Sequence, residues 1–248
     1  MEDNIKFNVI THMKKEIKKG KIIISKDGPY FVSGNLPLEK ETIITDEERL
    51  PCEWKKGKKY PEQETYALCR CGKSKNMPYC DGTHVTCGFK GTETADRRKY
   101  FEQVDSKTEG PELDLTDVES LCARARFCER KGSAWNLTEN SDDPLAKKTA
   151  IEQACNCPSG RLVALDKETK KAYEPEFEES LSLVEDPEMG VSGPIWVKGR
   201  VQIKSSDGHS YEKRNRVTLC RCGQSGNKPF CDGSHIESGF DDGDETLK

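Results

Sequence analysis

ALCRCGKSKNMPYCDGTHVTCGF, residues 67–89, and TLCRCGQSGNKPFCDGSHIESGF, residues 218–240, are two versions of one segment. Each carries Cys-x-Cys-x8-Cys-x3-His: Cys69, Cys71, Cys80 and His84 in the first, Cys220, Cys222, Cys231 and His235 in the second. Three thiolates and one imidazole make a complete four-ligand set for a metal centre. The long stretch between the second and third cysteines can loop around such a centre. Pro78 and Pro229 stiffen its return. Gly72, Gly82, Gly223 and Gly233 let the backbone approach closely. Asp81 and Asp232 fit N-caps of a short helix carrying the histidine, which would aim amide N–H groups at an anionic centre. Zinc also accepts three cysteines and a histidine, but zinc sites usually separate paired cysteines by two to four residues, not one.

Outward from these segments the repeat continues. GPYFVSGNLPL (28–38) and GPIWVKGRVQI (193–203) each run from a Gly-Pro turn into alternating apolar residues, which reads as a strand. Two β-rich copies follow, spanning 21–95 and 186–248, with an N-terminal segment at 1–20 and a different segment at 96–185. In that middle segment Thr116-Asp-Val-Glu119 matches a capping box, which predicts a helix through Cys122 and Cys128. Asp143-Pro144 predicts a second helix, ending near Cys155-Asn-Cys157-Pro158, and RLVAL (161–165) a short strand. The acidic run Glu174–Glu188 reads as a solvated linker, and the acidic tail after Phe240 as disordered.

Both copies resemble the CDGSH iron–sulfur family, whose pattern is C-x-C-x2-[ST]-x3-P-x-C-D-G-[SAT]-H. Ser74, Pro78, Asp81, Gly82 and Thr83 fill it in the first copy; Ser225, Pro229, Asp232, Gly233 and Ser234 fill it in the second. The resemblance implies one [2Fe–2S] cluster per copy. One iron would take Cys69 and Cys71, or Cys220 and Cys222; the other would take Cys80 and His84, or Cys231 and His235. It also implies that the copies pack as a pseudo-dimer within one chain. In the middle, Cys122, Ala125, Cys128 and then Cys157-Pro158 are similar to a divergent single-cluster ferredoxin-like family, with Ala125 where bacterial ferredoxins carry a further cysteine. That likeness implies a [3Fe–4S] or [4Fe–4S] cluster on Cys122, Cys128 and Cys157, with Cys155 as the extra candidate. The alternatives are a zinc site of the same four cysteines or free thiols. Cys87 aligns with Ser238 and Cys52 has no counterpart, so both read as ordinary cysteines; His12 and His209 read as surface or turn residues.

Bulk composition fits this picture. The chain has 248 residues, 34% charged and 33% hydrophobic, with a mean hydropathy of −0.83. Such polarity favours several small cores stapled by metal over one large one. Net charge is −4, which gives no nucleic-acid footprint, and no apolar run spans a bilayer. The N-terminus lacks a signal-peptide apolar stretch, and its early acids argue against a transit peptide. The Lys14–Lys21 run reads as a solvated face. Twelve cysteines clustered beside histidine, without an export signal, point to metal in a reducing compartment, hence a cytoplasmic location. The expected fold class is α+β: two β-rich units around a ferredoxin-like insert. The expected function is electron transfer, not catalysis, by a monomer that meets a redox partner or is a subunit of an oxidoreductase. The alternatives are cluster storage, transfer or redox sensing, with an apo-protein acceptor as partner, and a zinc-stapled scaffold.

Overall fold

The computed structural model describes residues 19–247; His12 and most of the Lys14–Lys21 run lie outside them. The first copy supplies strands β1 (Lys21–Ile24), β2 (Tyr30–Ser33), β3 (Leu38–Thr45), β4 (Pro51–Lys59) and β5 (Thr65–Leu68), then the short helix α1 (Thr83–Thr86). The insert supplies β6 (Ser106–Glu109), β7 (Leu113–Asp117), α2 (Ala134–Glu139), α3 (Pro144–Asn156) and β8 (Leu162–Asp166). The second copy supplies β9 (Ser180–Asp186), β10 (Val191–Lys198), β11 (Gln202–Lys204), β12 (Arg216–Leu219) and the short helix α4 (Ser234–Glu237). The class is α+β, as the sequence predicts.

Each repeat block expected as one strand is two. The first breaks at Gly34–Asn35 (φ 95° and 55°) and the second at Gly199–Arg200 (φ 81° and 65°). Two successive left-handed residues cannot continue a strand, so the chain turns and leaves its own sheet. β3 runs parallel to β9, and β11 runs parallel to β1. The sheets are therefore β11-β1-β2-β5 and β12-β10-β9-β3-β4: each copy lends its third strand to the other. Among the described residues this exchange builds one large core beside three smaller clusters of buried residues. Ile22, Ile24, Tyr30 and Val32 of one sheet join Leu181, Leu183, Ile195 and Val197 of the other in one core, which also takes Val118, Leu121, Val163 and Leu165 from the insert.

Three further expectations are corrected. The Glu174–Glu188 run is not a linker, because β9 within it is the central strand of the five-stranded sheet. Glu185 and Asp186 are buried against cations, Glu185 on Arg221 (2.8 Å) and Lys40 (3.1 Å) and Asp186 on Arg126 (2.6 Å), while Glu174 bonds Arg216 (2.7 Å) from a more exposed position. The tail after Phe240 is ordered by the same cations, with Asp242 on Arg221 and Lys40 and Asp244 on Lys40. Finally, no helix passes through Cys122 and Cys128. Thr116 lies in β7, the middle strand of β6-β7-β8, where its hydroxyl donates to the carbonyl of Val163. Only 3-10 turns follow, at Glu119–Leu121 and Phe127–Gly132, because Arg124 and Arg126 are left-handed (φ 52° and 62°). The second helix stands: Asp143 accepts from the Leu145 amide and Pro144 opens α3.

The tail gives a pH prediction. Burial alone would raise the Asp244 carboxyl, but its bond from Lys40 brings it from 3.8 down to about 2. A carboxylate lowered by folding stabilises fully above its ordinary value and stops doing so as pH falls through its folded value. Amide exchange at 241–247 is expected to quicken between pH 4 and 2, and Lys40→Met to loosen the tail already at neutral pH.

Candidate metal centres

Each cysteine loop closes on the end of its strand. The Cys69 amide donates to the carbonyl of Pro78 (2.8 Å) and the Cys80 amide to that of Ala67 (2.9 Å); Cys220 with Pro229 and Cys231 with Thr218 repeat this at 2.9 Å. Ser74 and Ser225 brace the return by donating to the carbonyls of Tyr79 (2.6 Å) and Phe230 (2.7 Å). The donors then fall into pairs. Cys69 and Cys71 Sγ are 3.7 Å apart, as are Cys220 and Cys222. Cys80 Sγ is 3.3 Å from His84 Nδ1, and Cys231 Sγ is 3.4 Å from His235 Nδ1. Two ligands on one tetrahedral metal with metal–sulfur bonds near 2.3 Å sit about 3.8 Å apart, so each pair suits one metal. Among the described residues no three His, Cys, Asp or Glu side chains group around a single point. Each histidine presents Nδ1 to the pair.

The expected caps differ in detail. Gly82 and Gly233 occupy the helix-start position, both left-handed (φ 88° and 89°). Asp81 and Asp232 sit one residue earlier. Asp81 accepts from the Thr83 and Lys75 amides, and Asp232 from those of Ser234 and Gly226. They tie the helix start to the loop, so those amides are not free for an anion. The amides that reach sulfur are Gly233 to Cys231 and Gln224 to Cys222, both 3.4 Å.

Burial makes Cys71, Cys80 and Cys231 poor acids by themselves, whereas the bond with Cys222 lowers Cys220. Desolvation pushes Cys71 up to about 12 and raises Cys231 well above the ordinary thiol value. The thiolate form that a ligand needs therefore requires cations between the pairs, and the donor set fits a pair of irons. Desolvation also lowers His235 to about 4, with Arg221 nearby adding to the effect, so its neutral, ligating form is the stable one.

The two sites lie back to back. A Cβ on Gly72 would meet the carbonyl oxygen of Cys222, and one on Gly223 that of Cys71, at 2.4 and 2.6 Å. Tyr30 of the first copy donates its hydroxyl to the carbonyl of Cys220 (2.8 Å). Gly72→Ala combines this clash with a left-handed φ of 70°. It is expected to cost more than about 2 kcal/mol and to lower the metal content of both sites, read by thermal unfolding and iron assay.

In the insert, Cys122, Cys128 and Cys157 line one small pocket with Ala125, Pro158 and Arg161. Burial, with Cys157 and Cys122 close by, pushes Cys128 up to about 12, so this set too calls for a cation. Cys155 is not brought to that pocket. Its thiol faces the carbonyl of Tyr173 (3.6 Å), beside a separate groove lined by Trp54 and Phe177. Cys87 is exposed and Cys52 rests on the carbonyl of Ile44; His209 lies in the Ser205–His209 turn. Sequence reasoning passed over Arg70 and Arg221, the buried residues between the paired cysteines. Their recurrence at one motif position in both copies was the available signal.

A family model described as iron-binding zinc finger, CDGSH type, matches residues 27–85 and 192–236. Another, described as a divergent 4Fe-4S mono-cluster, matches residues 108–167. The chain is a tandem CDGSH iron–sulfur protein with a ferredoxin-like insert. No curated protein and no solved structure matches it. The first CDGSH match covers β2 to β5 and their cysteine loop, and the second covers β10 to β12 and theirs. The strands that the CDGSH copies exchange, β3 and β11, both lie inside the matched regions.

Proposed function

We propose that this protein is a cytoplasmic electron carrier with two [2Fe–2S] centres, each on three cysteines and one histidine, and a third centre on Cys122, Cys128 and Cys157. The pairing of donors at chelating distance, repeated in two loops that touch through Gly72 and Gly223, carries the reading. Bound clusters would supply one-electron chemistry. The chain's own part is to hold six thiols and two imidazoles in rigid loops. Three cysteines in one pocket, with Ala125 in place of a fourth, suit a [3Fe–4S] centre, or a [4Fe–4S] centre with a ligand from outside the cysteine set. The twelve thiols are all free, which agrees with a reducing compartment. Among the described residues no helix is long and apolar enough to cross a membrane. The function asked of it is to pass electrons to a protein partner, as a monomer whose copies form the pseudo-dimer. Cluster donation is favoured as a second role by one observation: Cys80 and His84 of the first site are partly exposed.

The test is an anaerobic absorption spectrum with iron, sulfide and zinc analysis on one sample, then EPR after reduction. About seven or eight irons per chain, with an extra EPR signal, is the expected result. About four irons would remove the third centre. A colourless, zinc-loaded protein from an iron-replete preparation would overturn the redox reading in favour of a scaffold.

A further inference from the structure

The two CDGSH loops are an internal comparison: one motif in two surroundings. Over the second loop lies the insert. The Arg124 side chain covers Gly233, where a Cβ would meet its Cγ, Cδ and Nε at 2.6–2.9 Å, and Arg124 is ion-paired to Glu237. Ala123 and Pro158 close the same side of His235, leaving that histidine 4% exposed. Among the described residues nothing lies within 4 Å of a Cβ placed on Gly82. Around the first loop Gly82 and Val85 are open, Val85 at 74%, while His84 is partly exposed.

Side chains differ in the same sense. The first loop carries exposed Lys73, Lys75 and Lys90 where the second has Gln224, Gly226 and Asp241, and Thr86 where the second has Glu237. The one reversal is Met77 against Lys228, whose ammonium is turned inward to the carbonyl of Ser225. Asp81, the acid of the first loop, has its oxygens engaged by the Lys75 and Thr83 amides. Lys26 and Asp27, in the turn beside His84, offset one another. The open site is thus ringed by lysines, and the covered one has none at the matching positions.

We propose that the first CDGSH site is the port through which this protein meets its redox partner, and that the partner presents an acidic surface around its own redox centre. This rests on the electron-carrier reading. An exposed cluster edge shortens the path to a docked partner. Val85 offers a small apolar contact at the centre, and the lysines around it steer an acidic surface into place.

The test uses small oxidants as stand-ins for the partner. The dithionite-reduced protein is mixed in a stopped flow with ferricyanide, an anion that takes one electron to become ferrocyanide. Cationic tris(phenanthroline)cobalt(III), which takes one electron to become the cobalt(II) complex, serves as comparison. Ferricyanide oxidation is expected to slow with added salt. It is expected to fall about tenfold in the Lys73→Gln/Lys75→Gly/Lys90→Asp variant, with the cobalt complex slowed less or accelerated. The opposite exchange, Gln224→Lys/Asp241→Lys, is expected to leave the ferricyanide rate within about twofold. Equal responses to the two exchanges, or no response to the first, would overturn the port assignment while leaving a redox protein. A protein that dithionite does not bleach would overturn the electron-carrier reading and the port with it.

Discussion

Arg221→Met is expected to lower the free energy of unfolding by about 3–5 kcal/mol. Arg221 lies between two ligand cysteines with its side chain 1% exposed. It donates to the carbonyls of Gly193 (2.8 Å) and Val184 (2.9 Å) and to the carboxylates of Glu185 (2.8 Å) and Asp242. Glu185 is fully buried. Removing the cation leaves two buried carboxylates with Lys40 alone, and an uncompensated buried charge is among the costliest single defects. Adding Glu185→Gln removes the stranded charge and is expected to return about half of the loss. Urea unfolding of the two variants, compared at constant slope, reads both effects. A loss under about 1 kcal/mol for Arg221→Met would show that the network contributes little.

Replacing each histidine by cysteine is expected to lower the reduction potential of its own centre by on the order of 100–300 mV. Imidazole is neutral where thiolate is anionic, so the exchange places one more negative charge beside a centre that must accept an electron. The fall is expected to be larger for His235→Cys than for His84→Cys. His235 is walled in by Arg124, Pro158 and Ala123, and a charge acts more strongly where water does not screen it. Redox titration followed by visible absorption and EPR separates the two centres. Unchanged potentials in both variants would sink the assignment of the histidines as ligands.

The parts legible in the sequence are those fixed by local chemistry. The two ligand loops, the Asp143-Pro144 helix start and the Leu162–Asp166 strand each depend on residues close in the chain. What escaped depends on distant partners. Glu185 and Asp186 read as solvated charge, because the cations that bury them, Lys40, Arg126 and Arg221, lie far away in the chain. Thr116 and Glu119 match a capping box in spacing, but β8 claims the threonine hydroxyl first. The exchange of β3 and β11 was hidden for the same reason: Gly34 and Gly199 look like breaks within a strand until the receiving sheet is known. At the sites, the structure pairs the motif's cysteines and histidines at 3.3–3.7 Å; their unequal cover, set by Arg124 in the insert, belongs to the tertiary structure.

The strand exchange also sets a timetable for the cell. β3 emerges from the ribosome long before β9, the strand it must lie against, and the cradle behind Cys71 is completed only by Cys222 and Gly223. During synthesis the first copy is a sheet missing an edge, with a strand in waiting. The four donors of the first CDGSH loop are made early, but the seat behind them is finished only when residues 222–223 have been made.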